Sequence, residues 1–146
     1  MRPYGTLLNS ANFYELECRG DFRAAERYMQ SCLDSRLKYL SPEDEPICSA
    51  YVNLGNISAS RFRFEEAIAR FKKADSLVLK HGNEWPMKRL LVDINIARAY
   101  YSVGKYTDAA IRLDSALEET SRYKNRFWAV RSVKGYPPDV ESLNDF

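Results

Sequence analysis

Two asparagines, Asn53 and Asn95, stand 42 residues apart, and each is followed by a large aliphatic residue, Leu54 or Ile96. A carboxamide offers a donor and an acceptor together, so a recurring pair can hold the main chain of an extended peptide whatever its side chains. The sequence offers no comparable set for bond-breaking chemistry. Catalysis needs a nucleophile, a base and an orienting group converging in a pocket, or a metal, and no such constellation and no glycine-rich phosphate loop can be read here. The single histidine, His81, stands beside Gly82 without a second histidine or a cysteine at ligand spacing, and reads as a solvated loop side chain. Cys18, Cys32 and Cys48 form no CxxC pair and read as small buried or half-buried thiols. No enzymatic activity, no cofactor and no metal is expected.

The elements that position those amides must fit in 146 residues, the size of one ordinary domain. Twenty-two basic residues nearly balance 20 acidic ones, so the net charge of +2 gives no reason to expect a nucleic acid or a membrane as partner. No apolar run approaches the ~18 residues of a membrane span, and the opening MRPYGTLLNS has no apolar core of signal-peptide length. With three scattered thiols, these features point to a reducing compartment, most simply the cytoplasm. The stretch RFRFEEAIARFKK interleaves basic and aromatic residues, as an RNA-binding helical repeat would. Its Arg61, Arg63, Arg70, Lys72 and Lys73 alternate with Glu65, Glu66 and Asp75, which reads better as a solvated helix face.

The chain repeats itself. Setting Phe22, Phe64 and Tyr106 in one column places Ala25, Ala67 and Ala109 in the next, then Met29, Phe71 and Leu113, then Cys32, Ala74 and Ala116. The period is 42 residues in both intervals, without gaps. Steps of 3, 4 and 3 keep all four positions on one helical face. The small residues let a neighbouring helix approach and the large ones fill the space beside it. A helical segment precedes each seam, and Gly55 beside Leu54 fits a close crossing. Gly20 and Gly104 sit where a helix end turns with positive φ. Phe62 holds that column in the middle copy, so this turn is made without glycine, which predicts either strain or a different turn. Asp44 or Glu45 would cap the helix that begins near Pro46.

These columns resemble the tetratricopeptide repeat (TPR). Leu54-Gly55, Ile96-Ala97, Tyr100, the two turn glycines and the four-column seam match that family's pattern, and the 42-residue period is similar to the kinesin light chain type, whose Asn-Leu pair fits Asn53-Leu54. The resemblance implies an all-α fold: a short α-solenoid of three stacked antiparallel helical hairpins at about 7–40, 46–81 and 87–126. A repeat domain would cover 1–126, followed by a partly disordered extension over 127–146. Pro138 and Asp139 cannot supply the core pair of a fourth copy, and Phe127, Trp128 and Val130 would extend the last helix over the open end.

The resemblance also implies a concave groove lined by the first helices, carried over residue by residue to Tyr14, Val52, Asn53, Asn56, Ile94, Asn95 and Arg98. A chaperone-tail carboxylate clamp would need inner-face lysines, which those positions lack. The expected function is non-catalytic binding of a protein or peptide in the groove, as an adaptor or as the sensing segment of a larger protein. The alternative is self-assembly through the solenoid ends, with Tyr4, Phe127 and Trp128 in contact; a monomer or weak homo-oligomer is expected.

Overall fold

The computed structural model describes residues 18–133, with side chains to Lys124 except at 83 and 123. Among them are five α-helices and no strand: α1 (Phe22–Tyr39), α2 (Glu45–Ser60), α3 (Phe64–His81), α4 (Pro86–Ser102) and α5 (Tyr106–Val133). A single 3₁₀ turn, Gly82–Glu84, separates α3 from α4. Each helix packs on the next, and α2 also touches α4. The architecture is an all-α solenoid. The expected first half of the first hairpin, with Tyr4 and Tyr14, lies outside the described residues, as does everything after 133. α5 runs unbroken past residue 126.

The seam builds the core. Ala25, Ala67 and Ala74 have no exposure, and Met29 and Phe71 retain 1% each. Burying a side chain as large as these contributes about 2–3 kcal/mol apiece. One cluster joins α1 to α2 through Met29, Leu33, Ile47, Leu54 and Ile57. The other joins α2, α3 and α4 through Val52, Phe71, Val78, Val92 and Ile96. Gly55 is where the crossing is closest: a Cβ built there would meet the Phe71 ring at 2.4 Å.

The turns repeat as faithfully as the helices. Arg63 N–H donates to Ser58 O and Lys105 N–H to Tyr100 O, both at 2.9 Å. That six-residue closure is a Schellman turn, whose penultimate residue adopts a left-handed conformation. Gly104 does so at φ 81°, and Gly20, in the same column of the first copy, has φ 75°. Phe62 is forced to φ 61°, as its column predicts, with its ring 82% exposed and edge-on to Phe64 at 6.2 Å. At the start of α2, Pro46 occupies the second helical position. Asp44 precedes the helix, but its carboxylate accepts from Ser41 N–H in the loop rather than capping.

Three sequence expectations are corrected by packing. Arg61 and Arg70 are no solvated face: both bind Glu26 of α1, at 2.6 and 2.8 Å, and Arg70 also donates to Leu54 O and Ser58 Oγ. One period on, Arg112 spans Asp75 of α3 at 2.9 Å and buried Asp93 of α4 at 3.1 Å. His81 is no free loop residue. Its ring stacks on Trp85 at 3.7 Å, and its two nitrogens face Glu43 O at 2.7 Å and Glu84 Oε2 at 3.1 Å, fastening two loops together. Cys18 is exposed, whereas Cys32 and Cys48 are buried. Burial pushes the Cys48 thiol up to about 11, so it is an inert packing group, its Sγ 3.6 Å from Ala74 O.

Relieving the left-handed strain by Phe62→Gly should stabilise the chain by about 1 kcal/mol, a Tm rise of about 3 °C by calorimetry. Hydrogen bonding from Arg70 holds the Glu26 carboxyl below its ordinary 4.5. A folded-state value below the unfolded one means this stabilisation is complete above the unfolded value and fades as pH falls through the folded one. Urea titrations of wild type and Glu26→Gln should therefore differ most near neutrality and converge below pH 4.5.

Candidate functional site

Three first-helix positions predicted to face the groove do meet. Asn56 of α2 and Asn95 and Arg98 of α4 line one cavity of about 580 Å³, with Ala59 and Ser60 of α2, Phe64 and Phe71 of α3, and Leu91, Ala99 and Ser102 of α4. The cavity is built from matching columns of two repeats: Asn56 pairs with Arg98, and Ser60 with Ser102, at the 42-residue spacing. One lining residue is Phe71, whose ring is seated on Gly55, so the contact that sets the helix crossing also contributes to the cavity wall.

The other predicted positions fall elsewhere. Val52 is corrected: at 3% exposure it is packed with Phe71, Ile68 and Val92 in the core and offers nothing to a ligand. Asn53 is half-buried and Ile94 is 38% exposed, and neither lines the cavity. Tyr14 lies outside the described residues. Leu91, Ser60 and Ser102, among the described lining residues, were legible from the same helical spacing. Phe64 and Phe71 belong to the second helix and were legible only as seam.

Asn95 is the unusual member. It retains 7% exposure, and its amide nitrogen is enclosed without any hydrogen-bond partner among the described residues. A buried amide without a partner costs about 1–3 kcal/mol. The neighbouring polar groups do not relieve it: Ser102 Oγ donates to Arg98 O at 2.9 Å, and Ser58 Oγ to Leu54 O at 3.2 Å. Arg98 is exposed and is the one charged side chain among the described lining residues. Lys88, the nearest lysine on α4, is engaged by Glu45 at 2.8 Å and Ser49 at 2.7 Å. The cavity can therefore hydrogen-bond a main chain, accept an apolar side chain over Leu91 and Phe64, and pair one anion with Arg98. Among the described residues no group of histidine, cysteine or acidic side chains could hold a metal ion, and no helix is long and apolar enough to cross a membrane.

No protein-family model and no curated protein matches the sequence. Among solved structures the chain is similar to one from Podosopora anserina described as kinesin light chain nearly identical TPR-like repeats, with a TM-score of 0.75 and 16% identity. The match covers 84% of this chain and 58% of that one, and at this identity it is a likeness of fold. The fold is thus TPR-like.

Asn95→Leu, which keeps the branching at Cγ and removes the unpaired donor, should raise stability by about 1 kcal/mol. Chemical denaturation with an unchanged m-value would show it.

Proposed function

We propose that this chain is a non-catalytic protein-interaction module that binds an extended peptide or a helix in the groove between α2 and α4. The observation that carries this reading is the buried, unpaired Asn95 amide at the wall of the 580 Å³ cavity. A buried polar group left unpaired calls for an explanation, and a ligand that completes it is the one favoured here. A peptide C=O would accept from the Asn95 amide nitrogen and supply the partner that the free chain lacks. Arg98 favours an acidic residue next to that peptide unit, and Leu91 with Phe64 an apolar one.

The long-period assignment belongs to the same proposal. The 42-residue recurrence of the turn bonds supports a repeat of the kinesin light chain type, with a domain over 1–126 and an extension over 127–146. The likeness to TPR-like repeats is consistent with an adaptor or sensing role in the cytoplasm. The basic-aromatic stretch lends little to RNA binding, because Arg61 and Arg70 are committed to Glu26 and Phe71 is buried.

Peptides selected from a random display library on the folded chain should lose at least tenfold in affinity on Asn95→Leu and on Arg98→Ala, about 1.4 kcal/mol each. Helicity by circular dichroism should not change. Undiminished affinity in both variants would reject the groove.

A further inference from the structure

The α1–α2 and α3–α4 contacts are one interface made twice. In the first, Ala25, Met29 and Cys32 are covered by Ile47, Ala50, Leu54 and Ile57. In the second, Ala67, Phe71 and Ala74 meet Val92, Ile96 and Ala99. The covering residues share columns: Ala50 with Val92, Leu54 with Ile96, and Ile57 with Ala99. α5 carries the third copy of the covered face, and no helix lies on it among the described residues. Met29 and Phe71 are 1% exposed, whereas Leu113 in the same column is 48% exposed. Leu33 is 4% exposed; Leu117, two periods on, is 65% exposed. Tyr101 and Tyr106, ring against ring at 5.2 Å, close one side of this surface. A cavity of about 260 Å³ lies between Ala97, Tyr101, Ala109 and Leu113, with Arg98 and Ser102 of the groove also on its wall, and a shallow depression lies beside Leu117 and Ser121.

We infer that this face of α4 and α5 is a docking site for an amphipathic helix from outside residues 1–146, with apolar side chains at steps of 3, 4 and 3. The occupant's chemistry is given by continuity: α2 and α4 already cover the two equivalent faces with that stripe. The stripe does not recur in the sequence one period further on. One period after Val92, Ile96 and Ala99 stand Lys134, Pro138 and Glu141, and a proline at the centre of the crossing breaks the helix that would be needed. α5 also continues where α1 and α3 turn back. It has 28 residues against 18 in each of those, so it carries the backbone on by about 15 Å along its own axis. A second copy stacking head to tail is disfavoured by the same columns. One period before Leu54 and Ile57 stand Asn12 and Glu15, which would set an amide and a carboxylate against Leu113 and Leu117.

The chain itself supplies a probe: a labelled peptide with the sequence of residues 45–60, that of α2. Fluorescence anisotropy against the full chain should give saturable binding, with a Kd on the order of 10–100 µM because the free peptide must pay for helix formation. A scrambled peptide of the same composition should not bind. Leu113→Glu, at a position already half exposed, should weaken binding at least tenfold with circular dichroism unchanged, and Asn95→Leu should leave it intact, separating this face from the groove. Absence of saturable binding to the folded chain overturns the proposal, as does binding indifferent to Leu113→Glu. Dimers in sedimentation that Leu113→Glu dissolves would assign the face to a second copy and overturn it. Binding that appears only after removal of residues 134–146 would do the same in favour of the chain's own tail.

Discussion

A phenyl ring occupies the space where almost any residue other than glycine would place its first side-chain carbon. The approach of Phe71 to Gly55 fixes how α3 crosses α2, and much else follows from it. The same ring reaches α4 through Val92 and Ile96, so the second hairpin and the start of the third are referenced to a single side chain. It also lines the cavity that Asn56 and Asn95 share. Close-packed interiors transmit such constraints because they hold few voids to absorb a shift. The cavity is therefore a by-product of the packing geometry, and its polar groups are held by helices whose positions are already determined.

Ion pairs add register to this packing. Arg70 and Arg112 stand one period apart, and each reaches back from a second helix to the second helix of the preceding hairpin, to Glu26 and Asp75. Each also satisfies a group on a first helix: Ser58 Oγ and Leu54 O for Arg70, Asp93 for Arg112. Asp93 is buried at 3% exposure and would be costly alone; Arg112 and Ser115 Oγ, at 2.8 Å, make it tolerable. Partly buried pairs of this kind contribute modestly to net stability. Their weight lies in disfavouring slipped arrangements, in which a carboxylate would be left unpaired.

How legible this was depended on whether the information was periodic. The apolar columns at 42-residue spacing were enough to place Ala25, Met29, Ala67 and Phe71 on the packed side of their helices. Phe62 in place of a turn glycine was enough to expect strain or a different turn, and the structure keeps the same turn with a left-handed phenylalanine. Val52 was misplaced because α2 is buried on two sides, by α1 and by α3, so more of its circumference is core than a one-sided amphipathic pattern suggests. The arginine clamps were hidden because charge alternation along a helix looks the same whether the partners are water or a carboxylate on another helix. The unpaired Asn95 nitrogen had no sequence signal at all, since the expected pairing of its column with Asn53 is broken by different surroundings at each site.

The chain-order packing of the helices has a kinetic side. Since each helix meets chiefly its immediate successor, most native contacts close short loops, and such low-contact-order topologies cross their folding barrier quickly. Such an array is also quasi-one-dimensional: cooperativity passes only through nearest-neighbour interfaces, so opening can begin at an end without dissolving the middle. The α4–α5 hairpin, flanked on one side alone among the described residues, is the natural place for such fraying, while α2 and α3, gripped from both directions around Phe71, would be the last to exchange their amide protons.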